Sequence, residues 1–293
     1  MYFRATKGEK VFDVFNTLFM LLISASMLYP ILFVVSHSLM TDTERALHPF
    51  TIIPTELNFS GYEFILAKGS LLLSSFQITF FRLSVGTLLS LIVECMFAYA
   101  ISKRVYPLAV PLTMMIAFTM WFQGGLIPSF LVMKSLGFLD SIWVFVIPKL
   151  MNVWYILLLR NFFAQIPAEI EESAKIDGSN EMGILWRIIL PLSTPVLATI
   201  ALFHVVYHWN EWFMGIIYIS DQTLQPAMVI LRQILSQANA ANMYAEDMGG
   251  SFVPPTSMIQ MATIVVVSFP IIAAYPFFQK YFTKGLMVGA VKG

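Results

Sequence analysis

Ile166-Pro167-Ala168-Glu169-Ile170-Glu171-Glu172-Ser173-Ala174-Lys175-Ile176-Asp177-Gly178-Ser179-Asn180, followed by Ile188-Ile189-Leu190-Pro191, is a polar island between two apolar runs of membrane length. With Glu181 it carries five of the seventeen carboxylates in a 293-residue chain. Pro167 suits the first turn of a helix, where its missing N–H costs nothing. Glu169, Glu171 and Glu172 then fall near the positive end of the helix dipole and Lys175 near the negative end. Glu171 and Lys175 are an i,i+4 pair in the favourable order. Gly178 stands where a left-handed cap residue is expected, and Ser179 or Asn180 can cap a second helix through Trp186 and Ile189. Leu190-Pro191 marks a bend. The spacing predicts a short acidic helix, a tight turn and a second helix leading into the membrane. On these residues alone the element is either a solvated loop with ordinary caps or a docking surface. Ile170, Ala174 and Ile176 face a partner or the protein's own helices.

The rest of the chain decides its class. It is 58% hydrophobic and 12% charged, with mean hydropathy +0.77, whereas soluble domains carry about 25% charged residues. An all-α integral membrane protein is the reading that fits. The formal net charge is zero, which gives no basis for nucleic-acid binding. The single cysteine, Cys95, cannot form an intrachain disulfide. About 20 apolar residues span a bilayer, and six segments qualify: 11–36, 73–102, 106–133, 139–163, 193–219 and 259–282. The island occupies 164–191, and 1–293 reads as one transmembrane domain with the first run retained as a helix rather than cleaved as a signal.

Lys and Arg placement sets the orientation. With the N-terminus inside, the inner cations are Arg4, Lys7, Lys10, Lys103, Arg104, Arg160, Lys175, Arg187, Lys280, Lys284 and Lys292, against Arg45, Lys68, Lys134 and Arg232 outside. Both termini and the island are therefore expected in the cytoplasm, the chain being surrounded by membrane lipid.

The order Glu172-Ser173-Ala174-x-x-Asp177-Gly178-Ser179, with Ile188-x-Leu190-Pro191 beyond it, resembles the E-A-A-x-x-D-G-A…I-x-L-P loop of the permease subunits of binding-protein-dependent ABC importers. Ser173 and Ser179 replace two alanines of that pattern, and both are small. The tail 279–293 and Trp209-Asn210-Glu211-Trp212 are similar to the smaller permease of carbohydrate importers, such as the second membrane subunit of the maltose system. Phe12-Asp13-Val14-Phe15-Asn16 and the Tyr29-Pro30 step look like permeases for uronate-containing oligosaccharides such as alginate fragments.

The resemblance implies a type I ABC importer permease fold with six transmembrane helices and a cytoplasmic coupling helix at about 168–177, in a bacterial inner membrane. Glu171, Glu172, Ala174, Asp177, Gly178, Leu190 and Pro191 would couple it to an ATPase. The chain has no G-x-x-x-x-G-K-[ST] phosphate loop. It is not expected to be an enzyme or to bind a cofactor, and ATP and Mg belong on two copies of a partner ATPase subunit. A homologous second permease and an extracellular or periplasmic solute-binding protein complete the implied assembly. The outer segment 224–231, with Gln225, Pro226 and Ala227, is the implied contact for that binding protein.

Arg82, Glu94, Lys149 and Glu211 lie within spans, where ionisable groups are costly and face protein or water. By a rise of about 1.5 Å per residue, Arg82, Lys149 and Glu211 share a depth, and Glu94 lies nearer the cytoplasmic side. Arg82 or Lys149 then pairs with Glu211, or a cation meets an acidic sugar. Tyr207, His208, Trp209, Asn210, Glu211 and Trp212 combine rings and hydrogen-bonding groups as sugar sites do. Trp209 and Trp212, three apart, would share one helix face and can instead pack at a subunit interface. His204 and His208 have a metal-compatible spacing but no third ligand, so no metal site is expected. Competing classes are a permease for another nutrient (polyamine, phosphate or peptide), an ion-coupled transporter, which an inverted repeat would support, and an intramembrane enzyme. No convincing repeat or nucleophile–base pair is found.

Overall fold

The computed structural model describes residues 6–103, 106–248 and 257–290. Arg4, Arg104 and Lys292 of the charge count lie outside the described residues, as do the last three residues of the tail motif. Thr6 opens helix α1 (Lys7–His37) in a capping box with Glu9. Helices α2 (Asp42–Leu47) and α3 (Ser60–Leu66) follow, then α4 (Leu71–Ser102), α5 (Ala109–Trp121) and α6 (Leu126–Ser135). Two 3₁₀ turns, Ile142–Phe145 and Ile147–Lys149, lead into α7 (Val153–Phe163). The island forms α8 (Ala168–Ile176), α9 (Glu181–Ile184), a π-helical turn (Leu185–Ile189) and α10 (Leu190–Leu192). Beyond it run α11 (Thr194–Asn210), α12 (Phe213–Tyr218), α13 (Ala227–Met248) and α14 (Ser257–Ala290).

Among the described residues, α1, α4 and the Ser257–Ala274 part of α14 are each long and apolar enough to cross a membrane. Three bent pairs raise the number to six if each pair is one span. The helices break within the apolar segments 106–133, 139–163 and 193–219. Between α5 and α6 the axis turns by 115°, at Gly124-Gly125, where Gly125 has φ 85, a conformation open to glycine. The segment Ile142–Lys149 meets α7 at 46°, and Pro148 sits in its last turn, short of a backbone donor. The backbone leaves α11 at Glu211 (ψ 114) and re-enters helix at Phe213. The island's helices, Glu181–Leu192, turn by 85° into α11.

The chain divides into two packing units. One comprises residues up to Ser70 with Gln233–Ser268. In it the excursion after α1 is folded, not a loose loop. Glu44 accepts hydrogen bonds from the Thr55 amide (2.6 Å) and hydroxyl (2.7 Å), which hold its carboxyl below the usual range. Arg45 pairs with Asp42 and donates to the His37 carbonyl at 3.2 Å. Gly61 lets α3 approach α14 closely: a Cβ there would lie 3.0 Å from Met258 Cγ.

The other unit comprises Leu71–Arg232 with the residues from Phe269 on. Helix α4 is its spine, packing most extensively against α7 and α11. Its buried residues include Ser75, Thr79, Arg82, Gly86, Ser90, Glu94, Ala98 and Ile101, spaced by threes and fours along one stripe. Its large exposed side chains, such as Phe80, Leu88 and Met96, are apolar. Small and polar inside with apolar outside is the pattern of a membrane helix packed in protein. Gly86 sets the closest approach, since a Cβ there would lie 2.6 Å from Nε2 of buried His208. Gly86→Ala should therefore destabilise this unit by about 1–3 kcal/mol, read as a lower melting temperature of the solubilised protein. Gly8, with no atom within 4 Å of an added Cβ, gives the comparison: Gly8→Ala should leave the melting temperature in place.

Candidate functional site

The island is rooted in the core. Pro167 is the N-cap of α8, one position before the expected first turn. The helix ends in a Schellman motif: the Ser179 amide donates to the Ala174 carbonyl (2.9 Å) and the Gly178 amide to the Lys175 carbonyl (3.0 Å). Gly178 takes φ 81. Asn180 then caps α9, its Oδ1 accepting from the Gly183 amide at 2.7 Å. Ala174, Ile184, Leu185 and Ile189 are buried in one cluster with Ala98, Tyr99, Ile101, Leu159, Phe163 and Ile200, and Leu190 packs against it. On the other side Ile176 is 87% exposed, and Glu172, Asp177, Gly178 and Pro191 are also exposed.

The expected Glu171–Lys175 pair is not made. Glu171 pairs with Lys103, just past the end of α4, and Lys175 Nζ lies 2.7 Å from Glu181. Tyr99 also donates to Glu181, at 2.9 Å. Packing of the island onto α4 brings Glu171 to Lys103, while the turn at Gly178 brings Glu181, within the island, back to Lys175. Burial pushes the Lys103 ammonium down to about 8; Glu181 opposes the fall and Lys175 adds to it. Arg160 reinforces the junction by donating from Nε to the Ile101 carbonyl at 3.3 Å. A cavity of about 850 Å³ opens between the end of α4 and the island, lined among others by Tyr99, Lys103, Phe163, Glu171, Glu181 and Leu185.

The groups within the spans are arranged differently from the expected carboxylate pairing. Arg82 is almost fully buried, with its guanidinium 5.0 Å from the Phe145 ring centre. Its Nη1 donates to the backbone carbonyl of Glu211 at 2.9 Å. That carbonyl is freed where α11 ends, and a cation at a helix C-terminus is favourable. The Glu211 carboxylate instead accepts from the Met214 amide at 3.0 Å. Glu94, whose expected depth nearer the cytoplasmic side makes it a poor match for Arg82 and Lys149, is fully buried. One of its oxygens accepts from the Asn152 amide (2.8 Å) and the other contacts His204 Nε2 (2.9 Å). The positions of both groups toward the island end of antiparallel spans were visible in the sequence, but pairing only Asp and Glu with Lys and Arg passed over the histidine.

The aromatic cluster divides at the α11 break. Trp209 is buried against Phe76 and Phe80, ring centres 6.3 and 6.0 Å away. Trp212 lies beyond the break and stacks under the Arg232 guanidinium at 3.5 Å, so the two tryptophans do not share a helix face. His208 is buried against Gly86, and neither of its ring nitrogens has a hydrogen-bond partner among the described residues. Asn210 is exposed, its Nδ2 donating to the Val206 carbonyl at 2.9 Å. Among the described residues no three His, Cys, Asp or Glu side chains converge as a metal site would require.

Of the eight candidate pathway residues, Lys149 and Tyr207 meet in one pocket, of about 370 Å³, with Gln123, Asn152, Trp154 and Tyr155. Sequence reasoning missed those four. Asn152 carried a signal: it is an N-cap between Pro148 and an apolar helix, and its Oδ1 accepts from the Trp154 amide at 3.0 Å. The segment expected to meet a binding protein is largely buried. Gln225 Nε2 donates to the Ile219 carbonyl (3.3 Å), Ala227 donates its amide to Thr79 (2.9 Å), and Pro226 is buried between them. The exposed part of that loop is 221–223.

Comparison with known proteins agrees with this architecture. Protein LplC of Bacillus subtilis (strain 168) is 41% identical over 98% of this chain and 97% of its own. The polygalacturonan/rhamnogalacturonan transport system permease protein YtcP of the same strain is 39% identical over 97% and 99%. A chain in the crystal structure of a bacterial ABC transporter involved in the import of the acidic polysaccharide alginate superposes with TM-score 0.85 and 32% identity, covering 95% of this chain and 99% of that one. Residues 85–288 match the family described as binding-protein-dependent transport system inner membrane component. The chain belongs to that family, as a membrane permease subunit.

Proposed function

We propose that this chain is one of two permease halves of an ATP-driven importer that carries an acidic oligosaccharide into a bacterial cytoplasm. The observation that carries the reading is the island: a helix rooted by Ala174 in the core, presenting Ile170, Glu172 and Ile176 outward. A helix held so firmly on one side and so open on the other suits a rigid lever in the groove of an ATPase. The ATP and Mg sit on two copies of that ATPase, outside this chain. Their closure moves α8, and because α8 is packed on α4, α7 and α11, the bundle switches between inward- and outward-facing states.

A homologous second permease and a solute-binding protein complete the assembly. The termini lie on the cytoplasmic side by the excess of Lys and Arg there. The uncovered apolar side chains of α1, from Val11 to Val35, suit lipid and the second permease. Cargo is read from the relatives: one named for polygalacturonan and rhamnogalacturonan, the other involved in alginate import. These are polymers with carboxylate-bearing sugars.

Purification of the chain from its native membrane should bring down an ATPase and a second permease, and recovery of a lone homo-oligomer would contradict the reading. Glu172→Lys should lower the yield of co-purified ATPase; undiminished recovery would place Glu172 outside the contact. A β-branched residue at the φ of Gly178 is disfavoured by about 1–3 kcal/mol. Gly178→Val should therefore abolish ATP-driven uptake while the chain still inserts, and normal uptake by that variant would count against the lever.

A further inference from the structure

We infer that the pocket at the break before α7 is a cargo subsite of this subunit, in which the Lys149 ammonium reads the carboxylate of a uronate ring. The inference rests on the acidic-oligosaccharide reading and gives it a location. Lys149 lies midway along the bent pair formed by Ile142–Lys149 and α7. A cation at such depth is costly unless it meets an opposite charge or water. Among the described residues it has no ion-pair partner. The carboxylates of the neighbouring spans are engaged elsewhere. Glu94 gives both oxygens to Asn152 and His204, and Glu211 is taken by the Met214 amide and the Tyr207 hydroxyl. Arg82, the other intramembrane cation, is sealed in the core on a backbone carbonyl. The protein thus seals one cation against a backbone carbonyl and an aromatic ring and leaves the other open at a pocket wall.

The rest of the lining fits a sugar. Trp154 is 56% exposed and offers a ring face, Tyr155 adds ring and hydroxyl, Tyr207 adds a ring, and Gln123 and Asn152 supply amide groups. Aromatic faces with a few convergent polar groups are the composition of a carbohydrate site. At about 370 Å³ the pocket holds a short stretch of an oligosaccharide, as a site along a path would. Its wall is held in place by α4: the Ser90 hydroxyl reaches the Lys149 carbonyl at 3.4 Å, and Glu94 holds the Asn152 amide. Glu94 is thereby a positioning residue for the pocket.

The test uses the whole transporter in proteoliposomes with its binding protein. The probes are a galacturonate trisaccharide and an alginate trisaccharide, each as carboxylate and as methyl ester. Wild type should take up the carboxylate form in preference to the ester. Loss of a charge-assisted hydrogen bond corresponds to roughly ten- to a hundredfold in affinity. Lys149→Gln should raise the KM for the carboxylate form by about that factor and leave the ester's KM in place, with Lys149→Arg restoring the preference. Gln123→Glu, which sets a carboxylate in the same wall, should penalise the carboxylate form selectively and decides the matter if Lys149→Gln does not assemble. Equal loss for acid and ester in these variants would overturn the subsite and assign Lys149 to a contact within the assembly. Wild-type preference for the ester would instead overturn the acidic-cargo reading itself.

Discussion

The unit built on α4 depends on one constraint: every break in a membrane helix frees backbone groups that lipid cannot satisfy. The polar stripe of α4 answers it. Thr79 accepts the first amide of α13, Arg82 takes the carbonyl at the end of α11, Ser90 reaches the last 3₁₀ carbonyl at Lys149, and Glu94 takes the Asn152 amide. A net hydrogen bond contributes about 0.5–1.5 kcal/mol, but a buried amide or carbonyl left unpaired costs about 1–3. The stripe is therefore what makes broken spans tolerable, and broken spans are what make room for a pocket. Arg82 and Glu94, which look like functional charges in the sequence, serve this purpose as backbone partners.

The same helix links the two places where function is expected. Tyr99 at its lower end and Lys103 just past it hold the island through Glu181 and Glu171, and the Ile101 carbonyl holds Arg160 of α7 beside them. Eight residues or so above, Glu94 and Ser90 hold the rim of the Lys149 pocket. Force applied to α8 meets a packed cluster, not a hinge, because Ala174 and Ile189 are buried with Leu159 and Ile200. In our proposal the ATPase acts on the pocket through this rigid path.

The parts of this arrangement that were legible in the sequence are the local ones. Gly178 and Asn180 cap adjacent helices through contacts only a few residues long, and the residue order of the island sufficed to describe its shape. The six apolar segments were equally plain, since hydropathy sums over a window. That same averaging hid the breaks: Gly124-Gly125 and Glu211 sit in runs whose mean hydropathy stays high. Long-range partners were the other blind spot. Glu171 looked toward Lys175 four residues away, but tertiary packing gave it Lys103. Glu94 found a histidine and an amide, neither of which carries a formal charge to search for. The spacing of Ser75, Thr79, Arg82, Gly86, Ser90 and Glu94 was readable as a single face, and it was the available clue to a helix lined with polar groups on its inside.

In our proposal alternating access joins the island to the pocket, and accessibility of the pocket tests that link directly. Cys95 is the chain's single cysteine and is buried, so Trp154→Cys places one reactive thiol in the pocket lining. The measurement is the rate at which a membrane-impermeant thiol reagent on the cytoplasmic side labels it in the assembled transporter. The account predicts rapid labelling without nucleotide and strong protection when the ATPase is trapped closed on ATP. Equal labelling in the two states would contradict it.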